Sequence, residues 1–185
     1  MRVVVGVTGA SGAIYAQRLL DALETAGWET RVVLSRYAPQ VIRWELGGEL
    51  RLPPGARLYG PEEMSAPFAS GSNPPDAMAV IPCTMGTLGR IAHGLSDNLL
   101  LRAADVVLKE RRRLILVPRE TPLSLIHVRN MEQLLSAGAI ILPACPGFYG
   151  RPSTVEELAD TVVARVLDHL GAPHRLAPRW GEDPE

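Results

Sequence analysis

One lysine, Lys109, stands among eighteen arginines in this chain of 185 residues. Lysine offers a compact ammonium where arginine offers a planar fork. A sequence that uses arginine for nearly every cation and keeps one lysine suggests a position needing a point charge. Lys109 closes the stretch Arg102-Ala-Ala-Asp-Val-Val-Leu-Lys109. Arg102 and Lys109 are two turns apart on one helical face. An apolar run at 114–117 follows, then Arg119 and Glu120. Those two fall where a strand ends, and open α/β sheets bind ligands at the carboxyl ends of their strands. The expectation is several cations and one acid converging on an anion. The plainer alternative leaves Lys109 on a solvated face.

A second constellation is Gly9-Ala10-Ser11-Gly12, at a strand-to-helix turn. Backbone N–H groups at a helix N-terminus, with a serine hydroxyl, suit a phosphate. The glycines at 6, 9 and 12 do not make the dinucleotide fingerprint, and no acid follows the second strand to hold a ribose. That place carries Ser35-Arg36. Ser35 suits a mononucleotide phosphate; Ser35 with Arg36 suits the extra phosphate of NADP. A short-chain reductase would pair Lys109 with a tyrosine at 105, which is Asp105. A tight turn without a ligand is the remaining alternative.

These residues need elements to carry them. Valine-rich apolar runs predict buried strands at Arg2–Val7, Glu29–Leu34, 77–82, 114–117 and 139–142, with a short one at Arg57–Tyr59. Helices are expected at 13–26, from Ser35 through Leu46, after Thr87, from an Asp97 or Asn98 cap to about 111, at 123–137, and from a Thr154 cap to about Leu170. Gly-Pro-rich pieces fill 47–76. Strand–helix alternation with fully apolar strands predicts an α/β fold, a three-layer, Rossmann-like, doubly wound parallel sheet in one domain over 1–170. A Pro-rich tail, 171–185, follows. Trp44 and Met85 read as core residues, Arg111 to Arg113 as solvated helix-end charges, Arg129 as a partner of Glu132, and His127 as a satisfied structural histidine.

Composition narrows the function. A net charge of −1 and 46% apolar residues give no basic stripe for nucleic acid and no membrane-surface signal. No apolar run is long enough for a bilayer span. Cys83 and Cys145 each follow a strand-like run and read as buried thiols in a reducing cytoplasm. No His/Cys spacing suggests a metal.

Taken in order, several segments carry a resemblance: Val7-Thr-Gly-Ala-Ser-Gly-Ala13, Pro82-Cys-Thr-Met-Gly-Thr-Leu88, Asp97-Asn-Leu-Leu-Leu-Arg-Ala-Ala-Asp105, Leu108-Lys-Glu-Arg-Arg112, Arg119-Glu-Thr-Pro-Leu123, Arg129-Asn-Met131 and Pro146-Gly-Phe-Tyr149. The chain resembles the UbiX family of flavin prenyltransferases over nearly its whole length. The resemblance implies binding of reduced FMN, transfer of a dimethylallyl group from dimethylallyl phosphate without metal, and delivery of prenylated FMN to UbiD-type decarboxylases. It assigns Gly9, Ala10, Ser11, Ser35, Thr84, Met85, Thr87 and Arg119 to the flavin. It assigns Arg102, Lys109, Arg119, Glu120, Tyr149 and Arg165 to the donor phosphate. Glu45, Lys109, Glu120 and Tyr149 are the implied catalytic set, with Glu120 as proton donor or acceptor and Glu45 near the flavin and prenyl group. The implied assembly is a dodecamer with sites between subunits. Thr84 stands where the family usually has serine, and Asn73 where it often has an aromatic residue. Trp180 matches a tail residue near the donor.

Four cations could replace metal charge on a leaving phosphate, with Arg forks making two-point contacts and Lys a point charge. The rivals are an FMN-dependent cysteine decarboxylase, direct decarboxylation of aromatic acids, and a non-catalytic flavin carrier. The first expects an Asn in the loop that here reads Cys83-Thr-Met-Gly-Thr87. The last has no use for Glu45, Lys109 or Glu120.

Overall fold

A computed structural model of the chain describes residues 1–179 and 181. Trp180 lies outside the described residues. Six strands, β1 (Arg2–Val7), β2 (Glu29–Leu34), β3 (Arg57–Tyr59), β4 (Ala77–Cys83), β5 (Arg113–Pro118) and β6 (Ile140–Ile141), form one sheet in the order β3-β2-β1-β4-β5-β6. Every pairing is parallel. The helices are α1 (Ala13–Thr25), α2 (Ala38–Leu46), α3 (Met85–Ala92), α4 (Leu99–Lys109), α5 (Leu125–Ser136) and α6 (Val155–Leu170).

Both sheet faces are apolar, as a sheet covered by helices on two sides requires. Val3, Val5, Val7, Ala77 and Ala79 pack toward α1 and α6. Val4, Met78 and Val80 pack toward α3 and α4. Gly6 lets α4 lie close: a Cβ there would stand 3.3 Å from both Leu100 Cδ1 and Met78 Cε. The register of β4 against β5 shifts between Val80 and Cys83, and Cys83 joins the α3–α4 side.

Some local expectations need correction. Helix α2 starts at Ala38, not Ser35, with Pro39 in its first turn. Proline suits a helix start because it has no N–H to leave unsatisfied there. Ser35 is thereby left in the loop, its N–H donating to Val7 O at 2.9 Å. Trp44 is 73% exposed rather than core. Cys145 is exposed: β6 stops at Ile141, and Cys145 falls in the loop beyond. Arg113 does not end its own helix; it opens β5, and its Nη1 donates to the carbonyls of His169 and Leu170 at the end of α6. No ion pair joins Arg129 to Glu132 among the described residues. His127 is satisfied: its Nδ1 accepts from Ser124 N–H in the capping box of α5.

Candidate functional site

The strand order reverses between β1 and β4. At such a switch point the loops leaving two neighbouring strands turn to opposite faces and leave a crevice. Thr8 joins those loops: its Oγ1 donates to Pro82 O at 2.7 Å and accepts from Thr84 N–H at 2.9 Å. The crevice is a cleft of about 640 Å³ lined by Gly9, Ser35, Arg36, Thr84, Thr87 and Asn98, among others. That volume lies within the range of small-molecule sites. Thr84 caps α3, accepting from Thr87 N–H, and Asn98 caps α4, accepting from Leu101 N–H. Two helix N-termini therefore border one cleft, and their partial positive charge favours an anion. Hydroxyls of Ser35, Thr84 and Thr87 and the Arg36 guanidinium add donors. A flavin mononucleotide fits this donor set and this space. Tyr37 and Asn98 line the cleft too; sequence reasoning took Asn98 as a cap only and passed over Tyr37.

Met85 follows its reading as a core residue. Its side chain is buried in the core beneath α3, while its neighbours Thr84 and Gly86 line the cleft. Position 85 opens α3 on the face turned to the sheet. Ala10 is buried as well.

The turn after β1 also departs from a simple phosphate cradle. Its two amides at the start of α1 already hold a carboxylate: Glu45 Oε2 accepts from Gly12 N–H at 2.8 Å and from Ala13 N–H at 2.7 Å. Gly12, the N-cap, has φ 111°, a conformation that glycine alone enters cheaply. Ser11 hydrogen-bonds the same carboxylate through its side chain. Burial pushes the Glu45 carboxyl up, but Ser11, the Ala13 and Gly12 amides and the Arg119 charge outweigh it and hold the group below its ordinary range. A carboxyl depressed in the folded state contributes stability that is complete above the unfolded value and lost as pH falls through the folded one. Glu45→Gln is expected to cost about 1 kcal/mol at neutral pH, a modest figure because the group is partly solvated. The difference from wild type should shrink as urea unfolding is repeated toward roughly pH 3. A difference constant with pH would contradict this.

A second cleft, also about 640 Å³, lies between the loop after β6 and the end of α6. Tyr149, Arg165 and Cys145 line it. Arg119 links the two regions electrostatically. Its charge depresses Glu45 and opposes the burial that raises the Tyr15 phenol, which Cys145 also pushes upward. Glu120 is exposed, its Oε1 accepting from Thr121 N–H at 3.0 Å.

Within one chain the expected convergence of cations does not occur. Helix α4 runs from the cleft at Asn98 back toward the amino ends of the strands, where Lys109 pairs with Glu110 beside Gly71. Arg102, on the same helix, donates from Nε to Ala69 O at 2.9 Å and from Nη1 to Asp105 at 2.8 Å. Both cations therefore border the loop at 69–72. Arg119 follows Pro118, which pairs with Cys83 at the carboxyl end of the sheet, whereas Arg113, soon after Lys109, pairs with Ala77 at the amino end. Six strand residues, about 20 Å, separate the two ends.

A family model described as Flavoprotein matches residues 1–167. The flavin prenyltransferase UbiX of Pseudomonas aeruginosa is 47% identical, over 98% of this chain and 94% of that protein. The chain belongs to the flavoprotein family, among its UbiX flavin prenyltransferases. Family membership accounts for the parallel sheet and the cleft at its switch point. A crystal structure of AnUbiX (PadA1) in complex with FMN and dimethylallyl pyrophosphate superposes with a TM-score of 0.91 at 42% identity, covering 99% of this chain and 98% of that one. A dodecameric FMN-dependent UbiX-like decarboxylase from Escherichia coli O157:H7 gives 0.90 at 44% identity, covering 98% and 100%. Among the described residues no group of three or more His, Cys, Asp or Glu is placed to hold a metal ion.

Proposed function

We propose that this chain is a flavin prenyltransferase that joins a dimethylallyl group from dimethylallyl phosphate to reduced FMN. The carrying observation is the full-length similarity to flavin prenyltransferases together with a donor-lined cleft at the switch point. Reduced FMN supplies the nucleophilic ring that the allyl carbon joins. The chain's own residues do the rest. Ser35, Thr84, Thr87 and the helix N-termini hold the FMN phosphate and position the ring, with Gly9, Ala10 and Ser11 forming the turn beside it. Met85 fixes that loop by anchoring it in the core. The allylic C–O bond breaks with its electron pair going to phosphate, and the acceptor's displaced proton ends on phosphate. Arg102, Lys109, Arg119, Arg165 and Tyr149 offset the charge of that leaving group, and Glu120 carries the proton. Glu45, fixed by α1, keeps a negative charge where a developing allyl cation needs one.

Cations at opposite ends of the strands in one chain serve one phosphate only if two chains share the site. The exposed apolar residues Leu123, Leu125, Ile126, Val128 and Leu135, on and beside α5, support burial against another copy. The proposal therefore includes a homo-oligomer, a dodecamer like the Escherichia coli neighbour. It further includes UbiD-type decarboxylases as recipients of the product, and a cytoplasmic setting. No helix of the described residues is long and apolar enough to cross a membrane. The test is release of phosphate from dimethylallyl phosphate, or of inorganic diphosphate from dimethylallyl diphosphate, under anaerobic conditions. Release that requires reduced FMN supports the proposal; release indifferent to flavin, or none from either donor, refutes it.

A further inference from the structure

The carboxylate of Asp168, in the last turn of α6, gathers three side chains. Arg165 Nη1 donates to Oδ2 at 2.6 Å, and Arg179 Nη2 donates to Oδ1 at 2.9 Å. His174 Nε2 meets Oδ1 at 3.0 Å. An ionised carboxylate only accepts, so Nε2 carries a proton. Leu176 N–H lies 3.5 Å from His174 Nδ1. The His174 side chain is 6% exposed. Ala172 is buried and Leu176 packs on the core, so the segment after α6 is docked rather than loose.

This docking carries Arg179 into the cleft that Tyr149 and Arg165 line. Two guanidiniums against one carboxylate leave the wall one positive charge in excess. Each uses a single nitrogen on Asp168, and neither makes another hydrogen bond among the described residues. The remaining N–H groups have the fork geometry that matches phosphate oxygens. Exposed ion pairs by themselves add little to stability, yet here they fix two forks side by side over a space of about 640 Å³.

We propose that Arg179 is a further phosphate-binding arginine of the donor cleft, and that Asp168, with His174, is the positioning residue that holds it beside Arg165. This rests on the reading that the cleft takes the phosphate of dimethylallyl phosphate. The ligand class is a phosphate monoester dianion. It lies between two forks, in the cleft that Tyr149 also lines.

The experiment is calorimetric titration of the full-length oligomer with dimethylallyl phosphate, alongside titration with FMN. Arg179→Ala is expected to weaken dimethylallyl phosphate about tenfold and to leave FMN binding and Tm unchanged, with Arg179→Lys recovering part of the loss. Asp168→Asn makes the cleft more positive, so bare charge would tighten the anion; positioning predicts weaker binding. Tighter binding by Asp168→Asn overturns the positioning role. If Arg165→Ala weakens binding and Arg179→Ala does not, the inference fails while the donor-site reading stands. If wild type binds no dimethylallyl phosphate, both fail.

Discussion

Lys109→Ala and Arg119→Ala, each nearly inactive alone, are expected to regain activity when co-expressed. Removing one preorganised donor from a leaving-group site slows turnover by about 100-fold to 1000-fold. In one chain these residues stand at opposite ends of the strands, Lys109 ending α4 and Arg119 following β5. They meet one phosphate only across a subunit contact. Co-assembled at random, about a quarter of such sites draw an intact Lys109 from one variant and an intact Arg119 from the other. Activity near a quarter of wild type is therefore the expected reading. A mixture as inactive as its components would place the whole site within one chain and remove the role given to one of the two residues.

The second large effect is expected at Glu120. The leaving phosphate needs a proton, and Glu120 follows Arg119 at the carboxyl end of β5, exposed in the single chain. Glu120→Gln keeps the size and the hydrogen bond to Thr121 N–H but cannot pass a proton. General acid catalysis contributes about 100-fold to 10,000-fold. Single-turnover rates should fall within that range while KM for the donor changes little. A KM effect alone would make Glu120 a binding group, and an unchanged rate would remove it from the reaction.

The strands were legible because each is a short valine-rich run bounded by turn residues. That alternation also implied a parallel, doubly wound sheet, while the strand order and the place of the switch point came from the structure. Of the cleft hydroxyls, Ser35 was legible because it directly follows a strand, whereas Thr84 and Thr87, at the start of α3, were reached through the family resemblance. Glu45 at the α1 amides was not legible: the contact spans 33 residues and leaves no local pattern. The spread of the cations was hidden for another reason. Helical spacing puts Arg102 and Lys109 on one face but does not tell which end of α4 meets the cleft, nor which copy of the chain. Met85 shows the limit of motif assignment, since a residue inside a ligand loop can serve it from the core. The role of the tail was obscured by its prolines, which read as a loose end. His174 and Arg179, spaced to reach back to Asp168, were the available signal.

The central claim is prenyl transfer to flavin, and mass analysis of the flavin tests it most directly. Purified protein would be incubated anaerobically with reduced FMN and dimethylallyl phosphate, and the released flavin weighed. A flavin heavier by one five-carbon unit is the predicted result. Unmodified FMN recovered with both the monophosphate and the diphosphate donor, from protein that binds FMN, would contradict it.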